Sequence, residues 1–413
     1  MNKSLEKITK VSLYSLSLIP LLKENFNSLC IIIFTLLVIF YLLKNKIKPK
    51  FGKEFLFSTL LFWMFFLYQL FTPEIDFKAI LKHLPFLIIP FIFINKPIFI
   101  GLKEKRIAIT TFQISVLFQC LFYVITFFIE NGVNNFFYVS NENIPFFREY
   151  VLNNYLFKIH PTYFSAYLLL SFTFSLFKIL NVRYLNLFNL IVTTFFIFIF
   201  SSRIVIVAYF LTVICFMFLR IRELKLKQRI IFSGLVIIFF ILIIAPNRNI
   251  FFKRFNEIKT EINKPVEGNY YNSTNTRVAI IKCSINLFKE LPVFGYGDSL
   301  QKELNNCYEA SYNSNFYKIS GEFNTHNYYV HNLLFGGVFY FLLFLLFLTW
   351  IFKRVRKSPI GIFILIQFLI INLTENYLIR HYGIVTFMYF TALIIFIKSD
   401  QDQKTKNTTA KPI

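Results

Sequence analysis

Long apolar runs alternate with short polar connections along almost the whole chain. Ile31–Leu43, Ile107–Ile129, Ile230–Ala245 and Phe339–Phe352 carry no charged residue. A helix crossing the hydrocarbon core of a bilayer needs about 20 mostly apolar residues. On that rule the pattern predicts about a dozen spans, approximately Val11–Leu22, Ser28–Leu43, Phe55–Phe71, Ile80–Ile94, Ile107–Ile129, Tyr163–Phe177, Leu185–Phe200, Ile204–Leu219, Ile230–Ala245, Tyr328–Phe352, Ile360–Ile371 and Ile384–Ile397. The first and fourth are short, so tilting or partial burial is expected of them. Only Ser201, Ser202 and Arg203 separate the seventh span from the eighth, which predicts a tight hairpin. The expected fold is an all-α polytopic membrane protein. Residues 1–245 would hold helices 1–9, residues 246–325 a large, partly helical loop, residues 326–397 helices 10–12, and residues 398–413 a polar tail. A membrane barrel would instead show strands of about ten residues with alternating polarity.

Composition agrees with the pattern. With 56% hydrophobic and 16% charged residues among 413, a soluble enzyme and a DNA-binding protein are excluded. The net charge of +23 comes from 44 Lys and Arg against 21 Asp and Glu. Alternating the sides of the spans puts about 27 of those bases in the connections Met1–Lys10, Lys44–Glu54, Lys96–Arg106, Lys178–Tyr184, Arg220–Arg229, Lys353–Lys357 and Lys398–Ile413. The opposite short connections carry Glu24, Glu74, Asp76, Glu130, Glu142, Glu149 and Glu375. Basic connections face the cytoplasm. Both termini are therefore expected inside, and the polar stretch, the Ser201–Arg203 turn and the loop 131–160 outside. The basic N-terminus before an apolar stretch mimics a signal peptide, but no small-residue cleavage site follows, so it reads as an uncleaved first span. The 58 Phe, with many Ile, Lys and Asn, suggest an AT-rich genome, so a single Phe is not read as selected. No internal repeat is visible, and the large loop follows the ninth span. A transporter of two six-helix halves would place its main interruption midway.

Cys30, Cys120 and Cys215 sit in apolar runs and are expected as small buried hydrophobes. Cys283 and Cys307 share the polar stretch. A disulfide is permitted there if the stretch lies outside the cytoplasm, and spacing does not decide it.

Candidate chemistry clusters on the outer side. Arg203 lies at a membrane boundary, where an arginine is costly unless it snorkels or meets an anion. Arg277 opens a segment in which Val278, Ile281, Ile285 and Phe288 follow helical spacing. Asn275 or Thr276 can cap its start. A cation in a first helical turn opposes the helix dipole, yet that turn is an anion site, so Arg277 makes sense beside a phosphate. His326, followed by Asn327, joins the polar stretch to the tenth span and suits proton transfer near neutral pH. His331 lies about 140° further round a helix, so the two histidines do not form a metal pair. His160 precedes Pro161 at the start of the sixth span and can line the same outer cavity. Pro292, Gly295 and Gly297 form a turn after the Arg277 segment. Asp400 and Asp402 lie beside lysines in the tail and read as solvated charge. No metal or other cofactor is expected.

These residues, in this order and on this side, resemble the O-antigen ligase and polymerase superfamily of bacterial inner membranes. The likeness rests on Ser202 and Arg203 at the hairpin, Arg277 ahead of an amphipathic helix, the run from Pro292 to Gly297, and His326, Asn327 and Tyr329 with Leu333 and Gly337. It spans roughly 195–350. The family often has an acidic residue two before the last glycine, where this chain has Phe335. The resemblance implies metal-independent glycosyl transfer on the periplasmic face of the inner membrane, from a glycan on undecaprenyl diphosphate. Family arginines at the positions of Arg203 and Arg277 hold the diphosphate, and the histidine at the position of His326 activates the acceptor hydroxyl. Ser202, Asn327, Tyr329 and His160 would support the pocket. The first expectation is a ligase acting on the lipid A core. A polymerase using a second lipid-linked glycan, or a transferase acting on protein, shares donor and fold. The expected partners are that donor, one of those acceptors and membrane lipids, with no nucleic acid. An exporter without chemistry is the rival of a different class; it would need a polar path reaching both faces.

Overall fold

The computed structural model describes residues 3–71, 75–139, 145–178, 184–221, 256–319 and 323–397. The expected ninth span, the basic connection after Arg220 and the acidic pair in the tail lie outside the described residues. Helices are α1 (Lys3–Ser15), α2 (Glu24–Lys44), α3 (Lys53–Ser58), α4 (Leu60–Leu70), α5 (Phe77–His83), α6 (Pro85–Ile94), α7 (Leu102–Asn131), α8 (Phe146–Asn153), α9 (Pro161–Leu176), α10 (Tyr184–Phe200), α11 (Arg203–Ile221), α12 (Asn275–Lys289), α13 (Leu300–Ser311), α14 (Phe316–Ile319), α15 (Tyr328–Val355), α16 (Pro359–Ile371) and α17 (His381–Phe396). The described residues form no sheet, only isolated bridges such as Gly268 with Ser314. Among the described residues four segments, Glu24–Lys44, Phe77–Ile94, Leu102–Asn131 and Tyr328–Val355, are long and apolar enough to cross a membrane, and shorter apolar helices accompany them.

Among the described residues four expected spans are interrupted, the tenth by a kink with non-helical backbone at Gly337 inside α15. The first is α1 followed by a 3-10 turn over Leu16–Leu21 that contains Pro20. Its 13 helical residues reach about 20 Å, short of the hydrocarbon thickness. The third breaks at Thr59 between α3 and α4. The fourth is divided at Leu84, which keeps helical φ and ψ (−51° and −34°), ahead of Pro85, which has no N–H to continue the hydrogen-bond ladder.

The chain divides into two compact units. The first comprises residues 1–115, 339–365 and 378–413. Its centre is α17 against α6, where Phe93 meets Tyr389 edge-on at 5.9 Å. The buried Tyr389 hydroxyl donates to the Leu13 carbonyl (3.0 Å) and lies 2.7 Å from Ser17 Oγ. Lys10 pairs with the buried Glu104 at 3.1 Å.

The second unit comprises residues 116–338 and 366–377. Helix α9 is its axis, with every side chain but Tyr163 buried. Ser165 and Thr173 donate to the Pro161 and Leu169 carbonyls within the helix, and Ser171, Ser175 and Thr173 also meet side chains of other helices. Asn189 of α10 donates to the Ser171 carbonyl (3.1 Å) and to Ser175 Oγ (2.8 Å). Gln367 of α16 donates to Thr173 of α9 (2.6 Å) and Thr212 of α11 (2.9 Å). Such satisfied polar contacts hold apolar helices together where burial alone gives little preference between helix and lipid.

Beyond α12 the chain is fixed twice. Cys283 and Cys307 form a disulfide that ties α12 to α13. The Val293–Tyr296 turn presses on the start of α15: the Tyr296 amide donates to the Leu334 carbonyl at 2.8 Å. At this crossing Gly295 and Gly337 both hold positive φ, +73° and +71°. A Cβ on Gly295 would lie 2.5 Å from the Gly337 nitrogen, and one on Gly337 would lie 2.8 Å from the Gly295 nitrogen. The motif glycines are thus two sides of one backbone contact. Of the other cysteines, Cys120 is buried as expected and Cys30 is half-buried, but Cys215 is exposed on α11, where the surface of an apolar helix is itself apolar.

Gly337→Ala should lower thermal stability by several kcal/mol, because it adds backbone collision to left-handed strain. Gly132→Ala, also at positive φ but with open space around it, should lose only about 1–2 kcal/mol. Equal losses in paired thermal melts would show that the crossing is not tight. Loss of the disulfide in Cys307→Ser, which opens a loop with a sequence separation of 24, should cost about 3 kcal/mol in the same melts.

Candidate functional site

The ends of several helices of the second unit surround one cavity of about 180 Å³. Helix α8 contributes Arg148, the start of α9 His160 and Thr162, and the α10–α11 turn Ser201, Ser202, Arg203 and Ile204. Helix α12 and the residues before it contribute Ser273, Thr276, Arg277 and Ile280. The chain before α15 supplies Phe323 and His326, and the turn after α16 supplies Glu375.

The local sequence explains each placement. Ser201 follows α10 with φ +49°, its amide donating to the Ile197 carbonyl at 3.2 Å. This left-handed stop makes the hairpin tight and starts α11 at Arg203. The Phe200 carbonyl at the end of α10 accepts from Arg148 Nη1, a cation favoured at that end of a helix. Neither Asn275 nor Thr276 caps α12. Asn272 does so from upstream, its Oδ1 accepting from the Thr274 (2.8 Å) and Asn275 (3.2 Å) amides. His326 also has positive φ, +44°. Its amide donates to Asn324 Oδ1 at 3.0 Å, and Thr325 beside it bonds Asn376. That bond ties the His326 segment to the turn carrying Glu375. A non-glycine residue in this region costs about 1–2 kcal/mol, and such costs concentrate at functional sites.

The arginines are paired. Arg203 Nη2 lies 2.9 Å from the buried Glu257 carboxylate, and its Nη1 donates to Thr274 Oγ1 at 2.9 Å. Arg203 Nε is buried without a hydrogen bond. Arg277 Nη2 donates to Glu375 Oε1 at 2.8 Å. The other Glu375 oxygen lies 3.6 Å from His326 Nδ1. Burial alone would raise the Glu375 carboxyl; the His326 contact and the Arg277 guanidinium outweigh it and hold the group below the usual carboxylate range. His160 is pushed down to about 4, by burial first and then by Arg148. Its Nδ1 accepts the Thr162 amide at 3.3 Å, so the neutral ring caps α9.

The cavity therefore gathers Arg203, Arg277, His326, Ser202 and His160 from the sequence expectations. It does not gather Asn327 or Tyr329. Asn327 Oδ1 accepts from the Tyr329 and Val330 amides, both at 3.0 Å, and so caps α15. The Tyr329 hydroxyl donates to the Leu369 carbonyl of α16 at 2.8 Å. Phe335 is buried and stacks on His331 at 5.5 Å between centroids. The cavity carboxylate is instead Glu375, which sequence reading had counted only as an acid of an outer connection. Arg148 was missed altogether, and Glu257 with it. Their signals are single charges in polar loops, which fit solvated side chains equally well.

Residues 188–345 match the family model described as O-antigen ligase. Over these residues the chain is similar to the O-antigen ligase superfamily. The matched stretch holds Arg203, Arg277 and His326; Arg148, His160 and Glu375 lie outside it. No curated protein matches the chain. Family members are membrane glycosyltransferase-like enzymes, ligases or polymerases, and this chain carries the apolar helices such a protein needs.

Because His160 is held neutral down to about pH 4 while an unconstrained imidazole protonates near 6.5, its contribution to stability is complete above 6.5 and lost as pH falls towards 4. His160→Gln should flatten the dependence of melting temperature on pH across that window. An unchanged slope would show that His160 is not buried as the neutral ring.

Proposed function

We propose that the protein is an O-antigen ligase-like glycosyltransferase of the bacterial inner membrane, joining a glycan from undecaprenyl diphosphate to the lipid A core on the periplasmic face. What supports this reading is the convergence of Arg203, Arg277, His326 and Glu375 on one cavity at the helix ends. Charge placement puts those ends outside, with both termini in the cytoplasm. The buried polar residues of α9, α10 and α16 bond one another, and so serve packing rather than an exporter's path.

In this reading Arg203 and Arg277 hold the diphosphate. A guanidinium meets phosphate with two parallel donors, which a lysine cannot do. The acceptor hydroxyl attacks the anomeric carbon while the bond from that carbon to the diphosphate oxygen breaks. The bonding electrons leave with undecaprenyl diphosphate, where the arginines stabilise them, so single displacement inverts the anomeric configuration. His326 takes the hydroxyl proton on Nε2, since Nδ1 faces Glu375. Glu375, whose Oε2 lies 3.6 Å from Nδ1, is a positioning residue whose negative charge stabilises the imidazolium. A positioned base contributes about 10²–10⁴-fold, and stabilisation of the leaving charge about 10²–10³-fold per donor.

Arg277→Lys should lose most transfer, by about 100-fold, with membrane insertion unchanged. His326→Ala should abolish transfer in the same membranes; activity surviving there would remove the base. Deleting the gene in its host tests the acceptor directly, on a gel of surface glycolipids beside the undecaprenyl-linked pool. Bare core with long lipid-linked chains is the expected result. Core bearing a single repeat would make the enzyme a polymerase, and an unchanged glycolipid pattern would exclude lipid A core as the acceptor.

A further inference from the structure

Helix α12 carries an apolar stripe that is exposed among the described residues. Its buried face is Ala279, Ile280, Cys283, Ser284 and Leu287, and Cys283 bonds that face to α13. At 100° per residue, Ile281, Ile285 and Phe288 share a different face. These three are 55, 53 and 53% exposed. Lys282 and Lys289, both exposed, border the stripe along one side. Past the helix Val293 is 65% exposed. The Gly295–Gly337 crossing sets that turn beside α15, whose Val338 is 51% exposed. Helix α15 is one of those long and apolar enough to span a bilayer. Exposed apolar surface therefore continues from a spanning helix outward along α12.

We propose that α12 is an interfacial helix. It lies in the bilayer surface, with Ile281, Ile285 and Phe288 among the acyl chains and Lys282 and Lys289 at the lipid phosphates. An apolar face bordered by lysines suits that boundary, since the lysine stems pack on the apolar side while the ammonium groups reach the anionic headgroups. Continuity with α15 selects lipid over a second copy of the chain, because the lipid-facing surface of a span is already in the bilayer. Arg277 sits in the first turn of the same helix and opens into the cavity. The seating therefore holds the cavity at headgroup depth, where a lipid-linked diphosphate lies. That consequence rests on the glycosyl-transfer reading; the seating does not.

The test uses the full-length protein in nanodiscs of phosphatidylcholine brominated near the headgroup end of its chains, with phosphatidylglycerol added. The two native tryptophans, Trp63 and Trp350, are replaced by phenylalanine, and single reporters are introduced as Phe288→Trp, Ile285→Trp or Asn286→Trp. Residues 288 and 285 should lose most of their fluorescence to the bromines, and residue 286, on another exposed face, should keep it. If 288 and 285 stay bright, or 286 is quenched equally, the helix is not seated in lipid. Reporters that lose the Cys283–Cys307 bond are replaced by Val293→Trp, for which quenching is expected and its absence overturns the proposal. No glycosyl transfer is measured, so this outcome is independent of whether the enzymatic reading holds.

Discussion

Guanidinium charge held away from bulk water governs the second unit. Arg203 and Glu257 have side chains 14% and 4% exposed, and Arg277 and Glu375 34% and 6%. Removing one partner of the buried Arg203–Glu257 pair leaves an uncompensated charge and costs about 3–5 kcal/mol; at Arg277, a third exposed, solvent screening lowers the cost. The carboxylates therefore contribute to the stability of the site itself. In the proposed reading, a diphosphate would meet arginines already balanced by Glu257 and Glu375, so its two phosphates would compete with carboxylates for the guanidinium donors.

The same pairs dictate architecture. Arg203 starts α11, Arg277 lies in the first turn of α12, and Glu375 follows α16. Bringing them together requires helix ends at one level, which in turn requires fixed lateral packing. Asn189 and Gln367 supply it through hydrogen bonds within the apolar interior. The Gly295–Gly337 crossing and the Cys283–Cys307 bond then fix α12 from its far end. Left-handed backbone at Ser201 and His326 is sustained because each is flanked by such anchored elements. Helix α12 serves both cavity and surface: one face is locked inward, its first turn carries Arg277, and its remaining apolar stripe is left for lipid.

Much of this was readable along the chain. The spans beginning near Tyr163, Leu185, Ile204 and Tyr328 match α9, α10, α11 and α15 within a few residues, because apolar runs longer than a bilayer half admit little besides helix. Arg203, Arg277 and His326 were legible because each breaks a local rule: a charge at a membrane boundary, a cation in a first helical turn, a histidine at a loop-to-span junction. Asn327 and Tyr329 adjoin His326 in sequence, yet they face the α15 backbone and α16 instead of the cavity. Adjacency along a chain leaving left-handed backbone says little about direction. The interruptions at Thr59 and Leu84 fall inside runs that hydropathy alone reads as continuous.

What the sequence by itself determined was helical membrane architecture, the resemblance to O-antigen ligases and three of the cavity's charged groups. Those follow from local quantities, namely the hydropathy of a window and the cost of one charge where it stands. Tertiary structure alone decided the partners. Glu375 lies 98 residues from Arg277, and Arg148 meets a carbonyl 52 residues away. Neither is distinguishable in sequence from an acid or base in water. Pairing depends on which helix ends share a level, and that is set by packing between elements distant along the chain.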